Sequence, residues 1–172
     1  MANPVFEAVR TALAVREYQD RQVPDEVVAR IVAAAHLTAS AGNQQPWHFV
    51  VVRDTKTMHE LGRLVKTGPY IANAPLAIVV ACEKASKPGQ SDASRAIQSM
   101  ILVAWADGVG SNWTGFGGID EVRERVGLPD SYDVLAVLPF GYPARQLGKG
   151  KKKRKSIGEV ASTERFGTPF TP

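Results

Sequence analysis

Apolar residues in this chain follow two rhythms that alternate along its length. Val27, Val28, Ile31, Val32 and Ala35 recur at three- and four-residue spacing after Pro24-Asp25-Glu26. That spacing is one face of a helix, with acids at the positive end of its dipole. The stretch Trp47-His48-Phe49-Val50-Val51-Val52 is aromatic and β-branched, which suits a pleated surface and predicts a strand. An earlier helix starts near Pro4, whose ring fits a first turn, and carries Val5, Phe6 and Val9. Asp54 is placed to cap a third helix bearing Met58, Leu61, Leu64 and Val65. After the break at Asn73-Ala74-Pro75, residues 76–81 are apolar at nearly every position, which predicts a strand covered on both faces.

Residues 91–107 predict a long helix with Ile97, Met100, Ile101, Leu102, Val103 and Trp105 around most of its circumference. Such a helix is buried, either in the core or in a subunit interface. Gly108 and Gly110 end it, and residues 111–114 predict a short third strand. A short helix over 120–126 is stopped by Gly127 and Pro129, and residues 134–140 form the next strand. The tail from Gly141 has no strong period. The pattern predicts an α+β fold: a central sheet of about four or five strands with about five helices on both faces. Helix and strand alternate too irregularly for a doubly wound nucleotide-binding fold, and no G-x-G-x-x-G follows the first strand.

Composition adds limits. The 172 residues are 44% hydrophobic and 22% charged, which predicts one globular domain over 1–172. No apolar run approaches the roughly 18 residues of a membrane helix. Residues 1–10 lack the basic-then-apolar layout of a signal peptide, so a cytoplasmic protein is expected. Cys82 is the sole cysteine, and His36, His48 and His59 are scattered, so no metal site is expected. The chemistry should come from an organic cofactor or from substrate-positioning groups. The formal charge of +4 raises the question of nucleic acid. Six positive charges lie between Lys149 and Lys155, however, leaving 21 − 6 = 15 basic against 17 acidic residues elsewhere. The basicity is local.

Four segments carry candidate chemistry. Val15-Arg16-Glu17-Tyr18 offers, in Arg16, a rigid donor fork suited to phosphate or a carbonyl edge, or else a surface arginine. Ser40-Ala41-Gly42-Asn43-Gln44-Gln45-Pro46-Trp47 is either a cap and turn or a ligand loop, since Gly42 permits close approach and Asn43 both donates and accepts. Gly110-Ser111-Asn112-Trp113-Thr114-Gly115-Phe116-Gly117-Gly118 allows backbone N–H groups to face a ligand, or is a glycine loop. The run Lys152-Lys153-Arg154-Lys155-Ser156 suits a mononucleotide phosphate, a solvated tail or a nucleic-acid patch. No aromatic residue is interleaved in it for base stacking.

Taken in this order, the four segments resemble the nitroreductase family of flavin mononucleotide (FMN) enzymes across nearly the whole chain. Ser40 to Phe49 is close to the family's P-S-x-x-N-x-Q-P-W signature. Val15-Arg16-Glu17-Tyr18, with Val23-Pro24 after it, resembles the end of the R-R-S-x-R segment and the V-P that opens the next helix. Leu138-Pro139-Phe140-Gly141-Tyr142-Pro143 resembles the G-Y-P after the last core strand, and Lys152-Lys153-Arg154-Lys155 the K-x-R-x that ends the flavin site.

The resemblance implies an intertwined homodimer with each flavin at the interface. Arg16 would lie on the flavin's polar side, and Ser40, Ala41 and Asn43 would reach it from the partner chain. Thr114 and Gly115 would present N–H groups near N5, and Lys152 with Arg154 would hold the phosphate. The long helix and an arm over 158–172 would make much of the dimer contact, with Phe166 and Phe170 as anchors. Reduced nicotinamide, NADH or NADPH, would donate a hydride in a ping-pong cycle, and nitroaromatics, quinones or similar acceptors would take it. Relatives also perform dehalogenation, azoline oxidation and flavin cleavage. No side chain is nominated as a catalytic acid or base. Where the family has R-R-S, this chain reads Ala12-Leu13-Ala14, which makes a deazaflavin (F420) an alternative cofactor. The rival readings are a flavin or deazaflavin binding protein without turnover and, behind it, a nucleic-acid-associated basic protein.

Overall fold

A computed structural model describes residues 3–115, 119–148 and 152–171. In chain order these form α1 (Pro4–Thr11), α2 (Asp25–His36), β1 (Trp47–Val52), α3 (Thr55–Leu64), β2 (Leu76–Glu83) and α4 (Gly89–Ala106). Then come β3 (Gly110–Ser111), α5 (Asp120–Arg125), β4 (Tyr132–Gly141) and α6 (Ile157–Val160). Short 3-10 turns occupy Ala41–Asn43 and Pro69–Asn73. The four strands form one antiparallel sheet in the order β1-β2-β4-β3. No helix among the described residues is long and apolar enough to cross a membrane.

The continuous apolar run of β2 has the cause inferred from it. Leu76, Ile78, Val80 and Cys82 face a layer made by α2 and α4, where they meet Ile31, Ala35, Ile97 and Met100. Ala77, Val79 and Ala81 face the other way, onto Met58 and Leu61 of α3 and Val122 of α5. Alternate side chains of a strand point to opposite faces, so only a strand covered on both sides is apolar throughout. Register is pinned by Trp47 opposite Cys82 and Leu76 opposite Phe140. Local caps set the helix starts: the Asn3 carboxamide oxygen accepts from the Phe6 amide at 3.0 Å, and Asp54 accepts from the Thr57 amide at 2.8 Å.

Three elements differ from the pattern. The third strand is shorter than 111–114, because Asn112 and Trp113 leave the ladder before Thr114 rejoins it in a single bridge to Val137. The tail is more ordered than its lack of period suggests: Ser156 and Glu159 close a capping box on α6, and Ser162 bridges back to Pro169. In a single chain α4 is buried on one face only, through Ala93, Ala96, Ile97, Met100 and Ala104. Ile101, Leu102, Val103 and Trp105 stay partly exposed, and so do Val5, Phe6 and Val9 on α1.

Candidate functional site

After α1 the chain runs beside β3. Ala14 bridges Ser111, and the Val15 amide donates to the Ser111 carbonyl at 2.9 Å. Gly110 is required here, since a Cβ on it would overlap the Val15 side chain. Val15 is buried, so alternation turns its neighbours Ala14 and Arg16 outward. The Arg16 guanidinium lies 5.9 Å from the centre of the Tyr70 ring, and the Tyr70 hydroxyl accepts from the Asn112 carboxamide. Burial pushes the Tyr18 phenol up, so it keeps its proton and donates to the Val15 carbonyl at 2.7 Å. Arg16 is therefore presented from a backbone fixed on both sides.

Thr114 and Gly115 follow on the same side of the sheet. Thr114 is buried, and both its amide (3.2 Å) and its hydroxyl (2.5 Å) donate to the Val137 carbonyl. That amide is spent on the sheet, so of the two N–H groups expected to face a ligand only that of Gly115 has no partner among the described residues. Gly115 has φ +142°, a conformation that favours glycine, and a Cβ there would lie 2.7 Å from Ile119 and 3.1 Å from the Leu135 carbonyl. Gly68 packs as tightly on the Thr114 side chain, at 2.8 Å for an added Cβ. The remainder of the glycine segment, Phe116-Gly117-Gly118, lies outside the described residues, as do Lys149, Gly150 and Lys151.

The basic run returns to the end of α1. The Lys152 ammonium is half-buried and donates to the Val9 carbonyl at 2.6 Å. Burial, and then the charge of Arg154, hold it below the usual lysine range. Arg154 is exposed and donates only to the Lys153 carbonyl among the described bonds. Among the described residues Arg16, Lys152 and Arg154 have no carboxylate partner, because the nearby acids are engaged: Glu7 with Arg10 and Glu17 with Arg145. A groove of about 240 Å³ opens between residues 14–17 on one side and Pro143, Ala144, Arg145 and Leu147 on the other.

Ser40, Ala41 and Asn43 lie elsewhere. Their turn is tied to Asp92 in the first turn of α4, while the last turn of α4 is tied to α1 by Trp105 donating to Thr11 at 2.9 Å. Thirteen residues of helix separate those ties, or about 20 Å at 1.5 Å per residue. One chain thus holds Lys152 against α1, which packs on the last turn of α4, and Arg16 just after α1 beside β3. Gly115 lies part-way along β4, against Leu135 and Ala136, and the turn of Ser40, Ala41 and Asn43 is tied to the first turn of α4. Sequence reading missed Tyr70 and Asp92, which reach the site only through tertiary contact, and named Asn112 only as a member of the glycine segment. Gly68-Pro69 signals a turn, but not that the turn packs on Thr114. His48 makes only an edge contact with Tyr132, ring centres 6.1 Å apart, and no group of three potential metal ligands occurs among the described residues.

The model of the nitroreductase family matches residues 9–88 and 64–142. A protein of Methanothermobacter thermautotrophicus, provisionally named NADH dehydrogenase/NAD(P)H nitroreductase, is 35% identical over 152 residues, covering 84% of this chain and 80% of the relative. The solved FMN-dependent nitroreductase of Clostridium difficile R20291 superposes with a TM-score of 0.87 at 25% identity, over 94% of this chain and 99% of that one. A protein of Desulfovibrio desulfuricans, provisionally named a nitroreductase and solved with FMN, superposes with a TM-score of 0.83 at 28% identity, over 96% and 99%. Matched over most of its length in both sequence and fold, the chain belongs to the nitroreductase family of oxidoreductases.

Proposed function

We propose that the protein is an FMN-dependent oxidoreductase that uses NADH or NADPH to reduce nitroaromatic, quinone or similar electron-poor acceptors, working as a homodimer. The observation that carries this reading is a set of donors with no acid left among them: Arg16, Lys152, Arg154 and the Gly115 amide. Such a set fits a ligand with a phosphate at one end and a carbonyl-rich ring at the other. FMN, when bound, supplies hydride chemistry at N5, from reduced nicotinamide in one encounter and to an acceptor in the next.

The chain's own residues bind and orient. Lys152 and Arg154 hold the phosphate, and the extra lysines of the same run compensate for the Arg and Ser that the family carries where this chain reads Ala12-Leu13-Ala14. Arg16, steadied over Tyr70, donates along the polar edge, and Gly115 directs its N–H toward the ring. Ser40, Ala41 and Asn43 of a second copy complete the site, for within one chain their turn is tied to the first turn of α4, about 20 Å along that helix from the turn that holds α1. The exposed apolar residues of α1, the exposed side of α4 and the arm over 158–172 provide the surface for that copy. No side chain acts as acid or base.

The test is the visible spectrum of the purified protein before and after adding FMN and removing the excess by gel filtration, followed by NADH and NADPH oxidation with a quinone acceptor. Retained flavin bands and acceptor-dependent oxidation are expected. Loss of the chromophore overturns the FMN reading and directs the same titration to a deazaflavin. Retained flavin without oxidation by any acceptor identifies a binding protein without turnover.

A further inference from the structure

Asp92 is the only fully buried acid among the described residues. Withdrawing a carboxylate from water is costly unless it is paired, and Asp92 is paired twice. One oxygen accepts from the Ala41 amide at 3.0 Å, reaching a residue 51 positions away, and the other pairs with Arg95 one turn along α4. Its place in the first turn of an 18-residue helix adds the favourable end of the helix dipole.

The segment it reaches is one that resists its own conformation. Gly42, Asn43 and Gln45 have φ of +57°, +54° and +52°, three left-handed residues in four positions. Asparagine tolerates that region and glutamine does so poorly. The other hydrogen bonds recorded for Ser40–Gln45 are internal: Gln45 to Ser40, Gln45 to Asn43, Asn43 to Ser40 and Gln44 to Ala41. Asp92 is the only described hydrogen-bond partner that ties the turn to another element.

We infer that Asp92 is a positioning residue for the cofactor site: from α4 it fixes the Ser40–Gln45 turn in the conformation offered to a second copy, and so sets flavin affinity at a site its own chain does not complete. This rests on the shared FMN site proposed above. It explains why a charged residue is buried beneath a turn whose side chains from Ala41 to Gln45 are exposed.

The experiment compares the full chain with Asp92→Ala and Asp92→Asn by three measurements. These are amide hydrogen exchange over residues 40–45 in flavin-free protein, the FMN dissociation constant by fluorescence quenching, and mass by light scattering. Asp92→Ala should speed exchange at residues 40–45 and raise the dissociation constant about tenfold or more, with the mass unchanged. Asp92→Asn keeps an acceptor for Ala41 but not the charge, and should fall between the two. Should Asp92→Ala yield no folded protein, Asp92→Asn decides by the same criteria. Unchanged exchange at residues 40–45 overturns the inference, as does a loosened turn with unaltered FMN affinity. If the unsubstituted chain binds no FMN, the cofactor reading fails at that first titration and the positioning role falls with it. A failure confined to the variants overturns the positioning role alone.

Discussion

At the scale of single residues, Lys152 is the most informative. Its ammonium is held below the usual lysine range by burial and by Arg154, so in the free protein its charged form is disfavoured. A phosphate between the two cations reverses that and favours the charged form. FMN affinity should therefore be greatest where Lys152 is protonated in both states, and should fall as pH rises through the lowered value of the free protein. Lys152→Ala should raise the FMN dissociation constant by about 10- to 100-fold near neutral pH. Lys152→Arg, which does not titrate in this range, should abolish the alkaline fall. Fluorescence titration between about pH 7 and about pH 10 checks all three. How far such residues were legible in sequence depends on what fixes them. Arg16, Lys152 and Arg154 could be picked out because cations in a set order are visible in a string of letters. That the Thr114 amide is consumed by Val137 is a matter of sheet register, which the string does not contain. Asp92 and the side-chain role of Asn112 were hidden for a similar reason: an acid near a helix start and an amide near glycines are ordinary in sequence and become notable only beside Ala41 and Tyr70.

At the scale of elements, legibility followed the strength of the repeating pattern. α2, β1 and β2 show uninterrupted rhythm and lie where it put them. β3 and α6, held by two ladder pairs and by one capping box, are too short to have a rhythm. The start of α3 gives a direct test of the local rules. The Asp54 carboxylate accepts from the Thr57 hydroxyl at 2.7 Å and from the Thr57 amide at 2.8 Å, and these bonds hold it below the usual carboxylate range. A depressed folded value means that the stabilisation is fully present above the ordinary carboxylate value of about 3.9 and is lost as pH falls through the folded one. Asp54→Ala should lower Tm by about 2–4 °C at neutral pH, by loss of the cap. The two melting curves should converge in acid, toward about pH 3 and below. A difference that persists there would trace the effect to something other than the charged cap.

At the scale of the whole molecule, a single chain leaves apolar surface that its own fold does not use. Val5 and Phe6 are 66% and 61% exposed, and Phe166 and Phe170 stand on the exposed tail. If residues 158–172 are the arm that secures a second copy, a chain ending at residue 157 should run as a monomer by light scattering and retain no FMN after gel filtration. A dimer that persists without the arm would assign the contact to α1 and α4 alone. The sheet order has a separate bearing on how the molecule is made. β2 is apolar at seven of its eight positions and pairs with β1 on one side and β4 on the other. β1 is synthesised before it, but β4 begins at Tyr132, nearly fifty residues after β2 ends. Throughout that interval of translation a nascent chain carries an unpaired, sticky edge that any neighbouring strand can template on. Slow stretches of translation between residues 84 and 131 would lengthen that exposure, which ends only once β4 has left the ribosome and can pair with β2.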